Sequence, residues 1–199
     1  MRKITKIVLH HSVSPRDAAL EASLKSFNRT HHERLVKGAG MPLSKIGTID
    51  SIAYHYVIAG NGDYAATRQL ADIGYHASNW QVNKESIGIC ITGNFDEEYP
   101  TEEQYKTLFS LIGRDRFKGC TIHTHHEFKA SKSCPGKNVD MDRIKNYLNK
   151  LSLNNKNMDD SQKQLVQAAE YIMKAMYNYG TDEMKELAGE TAPKLRELK

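Results

Sequence analysis

Residues 4–10 read ITKIVLH, a run of β-branched and apolar residues without a polar face. A strand that is covered on both sides of a sheet loses the usual alternation of polar and apolar residues, so this run predicts a strand in the middle of a sheet. Residues 86–92, SIGICIT, have the same character and are followed by Gly93-Asn94, a typical strand end. His10 is therefore expected where the first of two buried strands ends.

The segments around these two strands complete a predicted α/β fold. Two short apolar runs, residues 54–59 and 64–68, flank Gly60-Asn61-Gly62-Asp63 and predict a hairpin. Residues 120–124 predict a further short strand. Helices are predicted over residues 17–35 after a Ser14-Pro15 start, from Thr101, which forms a capping box with Gln104, and over 141–151. We expect a central mixed β-sheet flanked by helices.

A polar run at residues 154–157, Asn-Asn-Lys-Asn, predicts a break between a main domain, residues 1–153, and a helical C-terminal segment, residues 158–199. In that segment an apolar stripe at helical spacing precedes Gly180, and a shorter helix is predicted over 181–189. The stripe consists of Leu165, Ala169, Ile172 and Met176. Because so short a segment cannot bury a hydrophobic core by itself, we expect it to pack on the main domain or on a second copy of this chain.

The composition fits a folded domain, with 39% hydrophobic and 26% charged residues among 199. No stretch approaches the roughly 20 apolar residues that cross a bilayer, so membrane insertion is not expected. The N-terminus lacks the apolar region of a signal peptide, which predicts synthesis in the cytoplasm without export by that route. Three cysteines, Cys90, Cys120 and Cys134, do not suggest a disulfide framework.

Positive charge is concentrated in the main domain. The net charge is +4, yet residues 158–199 hold six Lys/Arg against eight Asp/Glu. A basic body suits an anionic polymer such as cell wall or nucleic acid, although the excess is also compatible with a role in solubility alone. Neither a basic helix nor an aromatic platform is visible, so nucleic-acid binding is not expected.

Nine histidines are an excess that points to metal chemistry. His125-His126 would end a strand, and Cys134 follows on the next loop, so an imidazole and a thiolate can converge on one ion. Zinc accepts such a mixture of nitrogen and sulfur, and three protein ligands leave a fourth position for water. Neighbours on a strand point to opposite faces, so the choice between His10 and His11, and between His125 and His126, stays open.

Five motifs occur in the order seen in one family of zinc enzymes. They are IVLHHS at 7–12, AYHYVI at 53–58, the turn at 60–63, GYHASNWQVNKESIGICITGNF at 74–95 and THHEFKASKSCPG at 124–136. The chain resembles the N-acetylmuramoyl-L-alanine amidase family, zinc amidase type 2, which includes phage lysozyme-type amidases and the peptidoglycan recognition proteins. The resemblance covers residues 4 to about 150.

The resemblance implies one zinc ion per chain, held by His10, His125 and Cys134. It also implies that Tyr54 orients or deprotonates the zinc-bound water and that Lys132 stabilises the developing oxyanion. Members that only bind peptidoglycan typically lack the thiolate ligand, so Cys134 favours an enzyme.

Further positions match residues that line the substrate groove in relatives, namely His76 and Asn83. Trp80, the only tryptophan, could stack on sugar or peptide there. Glu127 is expected to hydrogen-bond a ligand imidazole.

The implied function is hydrolysis of the amide bond between N-acetylmuramic acid and L-alanine in bacterial peptidoglycan. The resemblance favours a phage or prophage endolysin that reaches the wall after holin-type release and so acts as an antimicrobial. The alternative is a non-catalytic module of the same fold that binds peptidoglycan or regulates another protein, such as a polymerase. Residues 158–199 would then serve wall targeting, formation of a homo-oligomer, or completion of the core.

Overall fold

The computed structural model describes residues 2–44, 46, 49–157, 165, 167–169 and 171–172. The chain divides into two compact units, Met1–Met141 and Asp142–Lys199. The division falls at Met141, earlier than the boundary after residue 153 that the polar run predicts. No helix among the described residues combines the length and apolar character that crossing a bilayer requires.

The described part of the first unit contains a five-stranded mixed sheet, as predicted. Its strands are β1 (Lys6–His11), β2 (Tyr56–Ile58), β3 (Tyr64–Ala66), β4 (Ser86–Ile91) and β5 (Thr121–Thr124). Their order in the sheet is β3-β2-β4-β1-β5. Strand β3 is antiparallel to β2, whereas β2, β4, β1 and β5 are parallel. The predicted hairpin is the pair β2 and β3.

The two buried strands predicted from the sequence lie side by side inside the sheet. Strand β1 pairs with β4 on one side and β5 on the other, and Val8 lies opposite Gly88 while His10 lies opposite Cys90. All six residues of β4 are buried. A strand with neighbours on both sides satisfies its backbone groups within the sheet. Strand β1 is therefore held on both sides up to Leu9, the residue before His10.

The helices are α1 (Leu20–His31), α2 (Trp80–Glu85), α3 (Glu102–Ile112), α4 (His125–Phe128) and α5 (Met141–Asn157). A π-helical turn, His32–Lys37, continues α1. The predicted helix start is wrong by several residues, because Pro15 accepts a hydrogen bond from Ala18 and forms a turn before α1. The predicted capping box is confirmed, since Thr101 and Gln104 bond each other's backbone N–H.

The helix predicted over residues 141–151 is longer in the structure. Helix α5 continues through the polar run at 154–157 to Asn157, and the domain boundary at this run stays a prediction. Asparagine costs only some tenths of a kcal/mol in a helix interior, so four polar residues do not suffice to end one. Leu165 and Ile172 are helical and exposed, in agreement with a helix there. The position of Met176 and the helix predicted over 181–189 lie outside the described residues.

Candidate metal centre

Three side chains that can bind a metal converge at the carboxyl end of β1. Each of His10, His125 and Cys134 offers one donor atom, and these atoms all lie within 4.8 Å of one another. The three residues are only 1%, 9% and 7% exposed. Among the described residues this is the group of three or more such donors close enough to share an ion.

The sheet register explains why His10 and His125 meet. Parallel β1 and β5 are paired up to Leu9 and Thr124, so the next residue of each strand emerges at the same edge. At that point β5 turns into α4, whose first residue is His125. Thr124 caps this helix through a capping box with Glu127, which fixes the direction in which the chain leaves the strand.

Cys134 is brought to the same edge by a loop that is tied at several points. The Asp96 carboxylate accepts hydrogen bonds from the Ser133 hydroxyl and from the Lys137 backbone N–H. The backbone N–H of His126 donates to the carbonyl of Cys134 over 2.9 Å. These bonds flank the thiol on both sides, so the loop holds Sγ in place before any ligand binds.

The loop also packs closely on the segment that follows β4. Gly136 has a φ of 101°, and a Cβ at this position would lie 2.6 Å from the backbone of Phe95. Only glycine combines this left-handed conformation with so close an approach. The Asn138 backbone N–H donates to the Phe95 carbonyl over 2.9 Å and continues the contact.

Within each of the two histidine pairs, which the sequence alone could not resolve, the two side chains have different surroundings in the structure. His11 turns to the other face of β1, where its Nδ1 accepts a hydrogen bond from the Phe95 backbone N–H over 3.1 Å. His126 is exposed, and its Nδ1 lies 2.6 Å from the carbonyl oxygen of Lys132. His10 and His125 are thus the members of each pair that face Cys134.

Burial disfavours charge on all three donors. It lowers the pKa of His10 well below its usual value, and the neighbouring imidazoles of His76 and His125 add to the effect. Burial lowers the pKa of His125 to about 4, with a further contribution from the Lys132 ammonium. Burial raises the pKa of the Cys134 thiol to about 12, opposed by the hydrogen bond from the His11 backbone N–H. Without a cation, this pocket favours two neutral imidazoles and a thiol.

This donor set fits zinc. Neutral imidazoles present the lone pairs that a metal needs, and a divalent cation stabilises the thiolate that burial alone disfavours. Two nitrogen atoms and one sulfur atom suit a borderline-soft ion and leave a coordination position open. Cys134 Sγ also accepts a hydrogen bond from the His11 backbone N–H over 3.3 Å, which would stabilise a thiolate on this sulfur.

Tyr54 and Lys132 both lie near the three donors. The Tyr54 ring centroid is 5.0 Å from that of His10. Burial raises the pKa of Tyr54 well above its ordinary value, and the nearby thiols of Cys90 and Cys134 act in the same direction. Lys132 is exposed on the Cys134 loop; its charge adds to the lowering of the His125 pKa and opposes the rise that burial causes in the Cys134 pKa.

The three expected substrate-binding residues have different surroundings. Trp80 is 53% exposed and packs edge-on against Tyr75, with ring centroids 5.5 Å apart. Asn83 is 4% exposed, and its Oδ1 accepts the Ala77 backbone N–H over 2.8 Å. His76 is 5% exposed and lies directly behind His10. Trp80 is thus the one of the three whose side chain is open to a large ligand.

The role expected for Glu127 is not found. Its carboxylate contacts His123 Nδ1 at 2.6 Å and bonds Thr124, and neither is one of the three donors. Two neighbours of the donors had no signal in the sequence. Ser78, at a φ of 54°, places its hydroxyl 3.4 Å from His125 Nε2, and Asp96 ties the Cys134 loop. A lone serine or aspartate in a polar loop carries no periodicity or motif that would single it out.

The amino-acid sequence that forms this site matches the model of a known protein family. The model of the N-acetylmuramoyl-L-alanine amidase family matches residues 1–137, which include all three donors. The chain belongs to this family. The resemblance drawn from the five motifs is thereby confirmed.

The relatives of this chain include phage endolysins and insect peptidoglycan-recognition proteins. The endolysin of Escherichia phage T7 is 32% identical over 91 residues, which are 42% of this chain and 58% of the relative. Peptidoglycan-recognition protein SC2 of Drosophila simulans is 27% identical over 139 residues, 66% of this chain and 68% of the relative. The chain thus spans little more than half the length of the phage endolysin it matches.

Solved structures share the amidase fold. The endolysin N-acetylmuramoyl-L-alanine amidase LysCS from Clostridium intestinale superposes with a TM-score of 0.58 at 26% identity, covering 74% of this chain and 85% of that one. Drosophila PGRP-LB superposes with a TM-score of 0.54 at 21% identity, over 69% and 78% of the two chains. The predicted α/β fold with a mixed sheet is confirmed.

Proposed function

We propose that this chain is a zinc-dependent N-acetylmuramoyl-L-alanine amidase that cleaves the bond between N-acetylmuramic acid and L-alanine in peptidoglycan. One observation carries the proposal: the buried donors of His10, His125 and Cys134 lie within 4.8 Å of one another in a member of the amidase family. A buried site with two nitrogen donors and one sulfur donor, rather than four protein ligands, is typical of a catalytic zinc centre.

The three donors would hold the ion, and the other residues would act on the substrate and the water. Zinc, when bound, lowers the pKa of a water ligand and polarises a carbonyl group. Tyr54, whose ring centroid lies 5.0 Å from that of His10, would orient or deprotonate the attacking water through its hydroxyl. Lys132 Nζ would stabilise the negative charge that develops on the carbonyl oxygen.

Removal and return of the metal test this proposal. The protein is treated with a chelator, and clearing of purified cell walls is then measured before and after addition of one equivalent of zinc. We expect clearing to stop and to return, with release of peptides that begin with a new L-alanine amino group. Clearing that persists after complete removal of metal, or cleavage at a glycosidic bond, would overturn the proposal.

A second function, binding without turnover, has support from the peptidoglycan-recognition relatives. Cys134→Ser separates the two, because serine is a far poorer zinc ligand than a thiolate. If the chain is an enzyme, this variant loses turnover and still sediments with cell walls, whereas a binding module has no turnover to lose. Cys120→Ser, a change at a cysteine outside the donor group, is the matched control and should clear walls like the wild type.

We further propose that the chain acts as a phage or prophage endolysin, a role supported by its phage relatives. It would be made in the host cytoplasm and reach the wall after a holin opens the membrane. Expression in a bacterium, with and without a holin, tests this: lysis should depend on the holin. Lysis at the same time and to the same extent in both cultures would contradict the role.

The function of residues 158–199 stays a prediction. Deletion of these residues, followed by measurement of wall affinity and of the molar mass in solution, distinguishes targeting from self-association. If the shortened chain kept both properties of the full chain, neither role would stand.

A further inference from the structure

His10 has a second buried imidazole behind it. The Nε2 atom of His10 lies 3.1 Å from Nδ1 of His76, and the rings meet edge to face with centroids 5.2 Å apart. The opposite nitrogen of His10, Nδ1, lies 3.6 Å from Cys134 Sγ. One nitrogen of His10 therefore faces the candidate metal centre, and the other faces His76.

The contacts run from Cys134 through His10 and His76 to Ser86, and the hydrogen bond made by Ser86 determines where the imidazole protons lie. The Ser86 hydroxyl donates to the Val82 carbonyl over 2.6 Å, which uses its only proton. At 3.4 Å from His76 Nε2, the Ser86 oxygen can then only accept. His76 therefore carries its proton on Nε2, and its Nδ1 presents a lone pair.

The surroundings of His76 favour a neutral ring. It is 5% exposed, and its partners at hydrogen-bond distance are the imidazole of His10 and the hydroxyl of Ser86, neither of which is a carboxylate. A neutral His76 that accepts at Nδ1 requires His10 to donate from Nε2. The proton of His10 is thereby placed on the side away from Cys134.

We propose that His76 is a positioning residue that fixes the tautomer and the ring orientation of His10, so that the Nδ1 lone pair of His10 points to the metal centre. The effect on metal affinity rests on the zinc site proposed above, whereas the proton assignment does not. A metal-binding histidine gains from such a partner because only one tautomer has its lone pair directed at the ion. His76 thus acts through His10 rather than on the substrate.

Two features of the fold keep His76 in this place. Gly88 lies under the ring, and a Cβ at this position would be 2.7 Å from His76 Cγ. The Asn83 side chain accepts the backbone N–H of Ala77 and so anchors the residue that follows His76. Glycine at position 88 in the middle of a buried strand, where it costs stability, is explained by the need for this space.

The proton assignment can be measured in the metal-free protein. With ¹⁵N-labelled histidine, two-bond proton–nitrogen correlation spectra distinguish a protonated Nε2 from a protonated Nδ1. We expect wild-type His10 and His76 both to carry the proton on Nε2. A proton on Nδ1 of His10 would overturn the proposal, whether or not the chain binds zinc or cleaves peptidoglycan.

Zinc affinity, measured by competition with a chromophoric chelator, tests the consequence. His76→Leu removes the acceptor and should weaken zinc binding by about 10–100-fold, the usual effect of losing a partner of a metal ligand. His76→Asn can place an amide oxygen close to the position of Nδ1, and should bind zinc nearly as tightly as the wild type. His123→Asn, at a histidine outside the donor group, is the control for the same chemical change.

A further variant would disturb the contact between His10 Nε2 and His76 Nδ1 without removing a polar group. Gly88→Ala would push the His76 ring away from His10, so its zinc affinity should fall toward that of His76→Leu. If His76→Leu and Gly88→Ala both bind zinc like the wild type, the positioning role is wrong. If instead the wild type itself does not bind zinc, the proposed amidase mechanism fails, and the spectra of the metal-free protein still decide the proton assignment.

Discussion

The backbone N–H of His11 donates a hydrogen bond to Sγ of Cys134 over 3.3 Å. The side chain of His11 serves a different purpose, since its Nδ1 accepts the buried N–H of Phe95 on the other face of β1. The two neighbouring histidines of this strand therefore differ in function. His10 supplies a donor to the candidate metal centre, whereas His11 supports the centre through its backbone.

Alanine substitutions of His10 and His11 should affect different properties, zinc binding in the first case and stability in the second. His10→Ala removes a donor, so zinc binding should be lost. His11→Ala keeps the backbone N–H to Cys134 and should keep zinc. It leaves the Phe95 N–H without its partner, which should lower the free energy of unfolding by about 1–3 kcal/mol. Zinc stoichiometry and denaturant unfolding measure both effects, and loss of zinc in His11→Ala alone would reverse the assignment.

Lys132 should matter for turnover more than for metal binding. Lys132→Gln removes the positive charge proposed to stabilise the oxyanion, and loss of one such group typically lowers kcat by about 100- to 1,000-fold. Zinc stoichiometry should stay at that of the wild type. Lys129→Gln removes the same charge from the same loop and should leave kcat close to the wild-type value. Equal losses in both variants would indicate a general effect of charge.

Trp80 offers a test of substrate contact. Trp80→Ala removes an exposed aromatic ring, and loss of stacking worth about 1 kcal/mol should weaken wall binding roughly fivefold. The turnover of bound substrate should not change, because the Trp80 ring packs on Tyr75, whereas the rings around His10 are those of Tyr54, His76 and His125. Tyr99→Ala, at another exposed aromatic residue, is the control. Unchanged wall affinity of Trp80→Ala would remove this residue from the binding surface.

Buried histidines predict a loss of stability in acid. Burial lowers the pKa of His31 from 6.5 to about 4, and its Nδ1 accepts the Ala53 backbone N–H. As the pH falls, the unfolded chain takes up this proton first, so stability present above pH 6.5 is lost between about 6.5 and 4. His31→Asn keeps an acceptor but does not titrate. It should therefore reduce the loss of stability between pH 7.5 and 5 by on the order of 1 kcal/mol.

A change that titrates nothing is the control for this pH effect. Thr101→Ala removes the cap of α3 and should lower the free energy of unfolding by about 1 kcal/mol at both pH values. If His31→Asn and the wild type lost the same stability between the two pH values, His31 would not be a source of the acid sensitivity.

The sequence predicted those features that depend on neighbours along the chain. Strand β1, the hairpin and the Thr101 capping box are each set by a few consecutive residues, so pattern and propensity suffice to find them. The six residues of α2 are too few to show a helical period, so the sequence pattern does not predict this helix. Helix α5 extends beyond its predicted end at residue 151 to Asn157, because local polarity is a weak signal against the propagation of a helix.

The candidate site was predictable in its residue types and not in its orientation. The motifs bring His10 and Cys134 together by resemblance, yet only the pairing of β1 with β5 decides which histidine of each pair faces inward. The contact between His10 and His76 joins residues 66 positions apart, and no periodicity links them. Such long-range contacts depend on strand order, which the sequence pattern leaves undetermined.

The separation of the donors along the chain has a consequence for durability. His10 and Cys134 are 124 residues apart in sequence, and their donor atoms lie 3.6 Å apart in the fold. A cation held by both would act as a cross-link that closes nearly the whole first unit into one loop, and a ligand that binds only the native state raises its stability by mass action. Withdrawal of the cation should therefore shorten the survival of the protein against proteases as well as stop its activity.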